Sequence, residues 1–245
     1  MTRRLVEGGT KVLGPLTLLS MGLLVVVGLF TSPPDVLQRD AVRLMYVHVP
    51  AAWVAYLAFG VTTLASALYL WKRTRSVAWD TVAGASAELG VMFTGLTLVL
   101  GSLWGYPVWG VWWAWDARLV STAVLFFLYL GYLALRRIPA DPEVRARRCA
   151  LAALFAFVDV PVVHFSVEWW RTLHQGASVF NPELDPTIEG SMALALLAGV
   201  AAFTFTYLYL LERRYRLAVL EEDVDERLLA AAIAERRAEV TGAPA

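Results

Sequence analysis

Six apolar runs, each about 17–23 residues long and almost free of charge, decide what this chain can fold into. They cover residues 12–30, 49–71, 81–103, 119–135, 149–165 and 191–211. A helix rises about 1.5 Å per residue, so about 20 residues cross the roughly 30 Å of bilayer hydrocarbon. Inside that hydrocarbon every backbone polar group needs an internal partner, which leaves only helices or closed barrels. The alternating pattern of barrel strands is absent. The expectation is an all-α integral membrane protein with six transmembrane helices. Composition agrees: 58% of residues are hydrophobic, 17% are charged and the mean hydropathy is +0.58. Soluble domains are nearer a quarter charged.

The first run follows Arg3, Arg4 and Lys11, as the apolar core of a secretion signal would. It is long for such a core, and TSPPD follows it in place of a small-x-small cleavage site. It reads as a retained helix, ended by Pro33 and Pro34. His48 comes directly before the second run, and Glu88 lies near the start of the third. Arg136 and Arg137 stop the fourth, and Asp159-Val160-Pro161 interrupts the fifth. A long polar loop, residues 166–190, leads to the sixth, which ends at Glu212-Arg213-Arg214. From Leu217 to Val240, acids, bases and leucine or alanine alternate at helical spacing. The chain thus divides into a membrane domain, 1–215, and a C-terminal tail, 216–245. The tail is either a short amphipathic helix that docks a partner or a solvated segment.

Positive charge sets the orientation. The N-terminal segment, the connections after helices two and four, and the tail hold seventeen of the 21 Lys and Arg residues. Only Arg39, Arg43, Arg118 and Arg171 lie on the other side. Both termini are therefore expected in the cytoplasm, with the connections after helices one, three and five on the outer face. The net charge is zero, and no basic patch or phosphate-cradling glycine loop occurs. Nucleic acid is not an expected partner, whereas membrane lipid is. Cys149 is the single cysteine, which excludes an internal disulfide or a multi-cysteine cluster within one chain.

The expected outer connection between helices three and four carries the densest signal. Residues 104–121 read WGYPVWGVWWAWDARLVS, with Trp104, Trp109, Trp112, Trp113 and Trp115 inside twelve residues. Isolated interfacial tryptophans such as Trp53, Trp71 and Trp79 are ordinary belt anchors. Five together, closed by Asp116-x-Arg118, ask for a large flat partner. His48, His164 and His174 all fall on the same side. An imidazole at the end of each of two helices, His48 and His164, facing an aromatic surface suits bis-His ligation of haem iron. A single interfacial histidine is otherwise an ordinary polar residue, and His174, in mid-loop, is left as one. Asp159 lies close enough in sequence to His164 to reach the same outer pocket. Asp116 either caps helix four, pairs with Arg118 or contacts haem. Arg118 pairs either with a propionate or with Asp116.

The stretch WGYPVWGVWWAWDARLVS resembles the WWD signature of the haem-handling proteins of cytochrome c maturation. With YVHVPAAW around His48 and VDVPVVHFSVEWWRTLHQG after helix five, residues from roughly 40 to 210 resemble the CcmC family. The longer WWD relatives, CcmF and CcsA, have more helices. The resemblance implies a bacterial inner-membrane protein that is not an enzyme. It would hold non-covalent b-type haem on the periplasmic face, with His48 and His164 as axial ligands and the Trp104–Arg118 loop around the porphyrin. It would deliver that haem to the chaperone CcmE, alongside the CcmA/CcmB transporter and CcmD. A b-type cytochrome working with quinone is a second reading. It is disfavoured because no histidine lies in the inner half. A haem permease is a third, with Glu88 and Asp159 its only obvious acids at depth.

Overall fold

The computed structural model describes residues 2–176 and 188–241 and is all-helical there, apart from one isolated bridge between Asp35 and Arg39. Helix α1 (Thr2–Val25) runs into a π-helical segment, Val26–Thr31, and a 3-10 turn, Asp40–Leu44, precedes α2 (Met45–Leu70). Then come α3 (Val77–Trp109), α4 (Ala117–Arg137), α5 (Pro142–Phe157), α6 (Asp159–Trp169) and α7 (Gly190–Thr241). Six stretches among the described residues are long and apolar enough to cross a membrane, α5 and α6 counting as one.

Several boundaries differ from the expected ones, each for a local reason. His48 lies inside the first turn of α2, because the helix starts at Met45 on the preceding 3-10 turn. The Ser76 side chain accepts the Ala78 N–H and starts α3 early. That helix then continues through Trp104 to Trp109 and stops at Gly110, whose φ of 76° suits glycine. Much of the expected tryptophan loop is therefore helix, and only residues 110–116 connect α3 to α4. Asp141 and Pro142 start α5 seven residues before the expected 149, as a cap and a first-turn proline. The fifth span breaks at Val158, just before the expected interruption. The loop expected over 166–190 loses its first residues to α6, and its stretch 177–187 lies outside the described residues. Past Glu212, α7 runs unbroken across the expected boundary at 215, since the sequence there is leucine, alanine, glutamate and arginine.

The core is narrow and relies on small residues, as close helix packing in lipid requires. Ala51, Val54, Ala55 and Ala58 of α2 and Phe93 of α3 are buried with Ala195, Ala202 and Tyr207 of α7. A second cluster joins Phe59 to Tyr129 and Tyr132 of α4 and to Cys149, Ala153 and Ala156 of α5. Phe59 and Tyr129 stack at 3.7 Å. The buried Ser86 hydroxyl donates to the Ala58 carbonyl and meets the Tyr207 hydroxyl at 2.8 Å, which links α2, α3 and α7 through polar atoms. The two ends of this bundle differ. One carries Asp80, Arg136 and Arg145, and the other carries Trp104 to Asp116.

Candidate functional site

At the Trp112 end, Gly101, Trp104, Gly105 and Val108 fall at i, i+3, i+4 and i+7 of α3 and share one face. With Trp109 they line a cavity of about 60 Å³. Its other walls are Gln38, His48, Leu173, His174 and Gln175. A side chain at residue 101 would stand in the way of His48, because a Cβ there would lie 2.9 Å from its Cε1. The His48 ring meets Trp104 edge-on, with centroids 5.7 Å apart, and Trp104 Nε1–H donates to Gln38 Oε1 at 2.8 Å. His174 meets Trp109 in the same edge-on way at 5.0 Å. The Nδ1 atoms of His48 and His174 are both buried without a hydrogen-bond partner among the described residues. Buried polar atoms are normally satisfied, so two orphaned imidazole nitrogens around one cavity are unusual.

The Asp116-x-Arg118 pair holds the far wall in place. Asp116 is 7% exposed and caps α4, its Oδ1 accepting the Arg118 N–H at 2.9 Å. Its Oδ2 accepts the Leu173 N–H at 2.7 Å, and the Thr172 hydroxyl faces the carboxylate and favours its charged form. Burial works to raise the Asp116 pKa, but these hydrogen bonds outweigh it and hold the carboxyl below its usual range. The Arg118 guanidinium does not pair with Asp116. It donates to the His164 main-chain carbonyl at 2.6 Å and to Ser166 Oγ at 3.4 Å. Asp116 Oδ1 lies 3.8 Å from His174 Nδ1. Burial, reinforced by the Arg118 charge and opposed by Asp116, pushes the His174 pKa down to about 4, so the ring is neutral near pH 7.

The structure thus brings together some of the expected site residues and separates others. His48, Trp104 and Trp109 line the cavity. Trp112 stacks on Tyr106 at 4.2 Å, and Trp113 meets Trp115 edge-to-face at 6.0 Å, with Trp115 87% exposed. These rings stand on the open surface and do not line the cavity. Asp116 and Arg118 hold the loop in shape. His164 is exposed on α6 beside Tyr56 and Phe165 and does not line the cavity. In the cavity His48 is accompanied by His174, and the expected partner His164 does not reach it. The reason is the path of the chain after α6. Trp170 turns extended, and the bonds from Asp116 draw residues 172–174 back over α3. Asp159 is also absent from the cavity, and its Oδ2 is buried without a partner among the described residues. Glu88 is paired with Arg214, the second oxygen contact measuring 2.9 Å.

Sequence reasoning passed over His174, Gln38 and Gly101. Neither Gln38 nor Gly101 carries a signal by itself. His174 did carry one, since it follows a tryptophan pair within a Thr172-Leu173-His174-Gln175 stretch, but a loop histidine has no visible anchor until its backbone partner is known. Chemically, the cavity offers two imidazoles. Among the described residues no group of three or more His, Cys, Asp or Glu gathers to hold a bare metal ion. Two imidazoles beside flat rings suit a metal whose other ligands come with it.

A family model described as heme exporter protein C, CcmC, matches residues 2–230. The chain is 40% identical over 208 residues to the heme exporter protein C of Haemophilus influenzae, covering 85% of this chain and 83% of that protein. It is 40% identical over 192 residues to the heme exporter protein C of Bradyrhizobium diazoefficiens, covering 77% and 72%. The protein of the same name from Escherichia coli K12 is 38% identical over 162 residues, covering 66% and 65%.

Proposed function

Because the chain belongs to the CcmC (heme exporter protein C) family, we propose that it binds haem at the Trp112 end of the bundle, with iron between His48 and His174. One observation carries this reading. Two half-buried imidazoles, each with a buried and unpartnered Nδ1 and each edged by a tryptophan, line one cavity. The tryptophan-rich connection supplies flat apolar area for the porphyrin face and edge. Haem is the cargo here, and the chain is a transfer factor with no reaction of its own.

The cavity of about 60 Å³ is much smaller than the roughly 300–1,000 Å³ of pockets that enclose a ligand of drug size. Haem therefore enters by opening it. His174 belongs to the non-helical stretch after α6, whereas His48 is fixed in the first turn of α2. Of the two walls, the His174 loop, anchored on Asp116, is the one that can shift to admit haem. An open-faced site with exposed Trp112, Trp113 and Trp115 leaves one edge of the porphyrin free for a receiving protein. The excess of Lys and Arg at the other end favours a cytoplasmic location for both termini and a periplasmic site in the inner membrane. By family, the receiver is the chaperone CcmE, and CcmA, CcmB and CcmD are the neighbours in the membrane.

The test is an absorption spectrum of the purified chain and its variants. Substituting His48→Ala or His174→Ala should each abolish the low-spin bis-His spectrum and cut haem retention, while His164→Ala should keep both. A low-spin spectrum that survives His174→Ala and disappears with His164→Ala would restore the pair expected from sequence. Replacing Trp112, Trp113 and Trp115 together with alanine should shift the Soret band, because each ring covers only part of the porphyrin.

A further inference from the structure

We propose that Asp116 is the orienting carboxylate of His174, in addition to being the cap of α4. The inference rests on the reading that His174 ligates haem iron. Iron-ligating imidazoles commonly give their second N–H to a carboxylate, which fixes the tautomer, turns the ring and makes the ligand more basic. Asp116 is placed to do this. Its Oδ1 lies 3.8 Å from His174 Nδ1, and that Nδ1 has no other partner among the described residues. At 3.8 Å the contact is electrostatic and not yet a hydrogen bond. A shift of under an ångström closes it, and the opening of the cavity around haem supplies such a movement. The Nδ1–H then points at the carboxylate, and Nε2 is left for iron.

Three consecutive residues of the His174 wall face this one carboxylate. The Leu173 N–H donates to Oδ2 at 2.7 Å. The Thr172 hydroxyl faces the carboxylate and helps to hold its pKa down, and it accepts the His174 N–H at 3.1 Å. The ring itself faces Oδ1. Trp109 stands edge-on to the same ring at 5.0 Å, which limits its rotation. A helix cap alone would need one acceptor oxygen and no contact with the histidine. The second oxygen and the Thr172 relay serve the loop that carries His174. Arg118 extends the clamp to α6 through the His164 carbonyl and Ser166 Oγ.

The charge distinguishes a tuning role from a structural one. A carboxylate behind an axial imidazole favours ferric over ferrous iron, so its loss raises the reduction potential of the bound haem. The experiment compares Asp116→Asn, Thr172→Val and His174→Ala with the parent chain, each purified in detergent and loaded with haem. Three quantities are measured: the midpoint potential, the rate of haem transfer to excess apomyoglobin, and the unfolding temperature of the haem-free chain. Asparagine caps helices about as well as aspartate, but its NH2 cannot accept the Leu173 N–H, so Asp116→Asn should lower the unfolding temperature only by the loss of that one bond. It should raise the midpoint potential and speed haem loss about 10–100-fold. Thr172→Val removes a competing donor, leaves the carboxylate a stronger acceptor for His174, and should shift the potential the opposite way. If Asp116→Asn keeps the parent potential and release rate while His174→Ala loses the bis-His spectrum, Asp116 is only a cap and the inference falls alone. If His174→Ala keeps the parent spectrum, the ligand reading fails and takes this one with it. If Asp116→Asn does not fold, Thr172→Val decides: a lowered potential supports the inference and an unchanged one overturns it.

Discussion

The two ends of the bundle use their polar groups in opposite ways. At the Arg136 end the acids of α3 are matched. Asp80, 3% exposed, takes Arg136 through two contacts, at 2.7 and 3.1 Å, and lies 3.7 Å from Arg145. Arg145 is also 3.7 Å from Glu222 of α7, and Arg214 joins Glu88 to Glu221. These pairs tie α3, α4, α5 and α7 together. At the Trp112 end the imidazoles of His48 and His174 are left with orphaned nitrogens, and the largest aromatic faces point outward. Charges matched within the chain hold the helices together. Arg145 Nε and Arg148 Nε also lack partners, but those guanidiniums make other contacts, whereas on the proposed reading the orphaned imidazole nitrogens await a ligand from outside.

The contrast makes different demands on mutation at the two ends. Asp80→Ala should have the largest effect on stability. It strands Arg136 in a buried site, at a cost of about 3–5 kcal/mol, readable as a lower denaturation midpoint in detergent, with the haem spectrum of the surviving folded fraction unchanged. Loss of haem binding at full stability would break the division between the ends. Gly101→Ala should cost less, about 1–3 kcal/mol of overpacking, yet it pushes on His48 and should weaken haem retention. Normal haem binding in that variant would mean that His48 can shift without penalty and is no fixed ligand. Trp115→Ala is the mildest. The ring is 87% exposed, so stability should change by less than about 0.5 kcal/mol, while transfer of haem to a receiving protein should slow. Unaltered transfer would restrict the docking face to Trp112 and Trp113.

How far the sequence could be read follows the same contrast. The spans were legible because a run such as 12–30 has only one way to satisfy its backbone in lipid. The tryptophan cluster and its Asp-x-Arg closure were legible as one unit, and so was the capping role open to Asp116. Helix ends were harder to place. The ends of α3 and α5 turn on Gly110 and on Asp141-Pro142, whose local signals compete with the polarity that marks a loop. Which histidine shares the cavity with His48 was the least legible. His164 and His174 are separated by a helix end, and the bond from Leu173 to Asp116 draws the His174 loop back to the cavity beside His48. Contacts of that kind join distant segments through backbone atoms, and side-chain identity says little about them.

The unbroken length of α7 has a mechanical consequence. Its 52 residues make a rod of about 78 Å, some 48 Å longer than the hydrocarbon it crosses. The salt links from Arg214 and Arg145 grip it close to where it leaves the bundle, which puts a pivot near one end of the free arm. A tilt of about 5° at that pivot moves the tip sideways by about 4 Å. A displacement at the tip is thus passed, through these salt links, to α3 and α5, which carry Glu88 and Arg145.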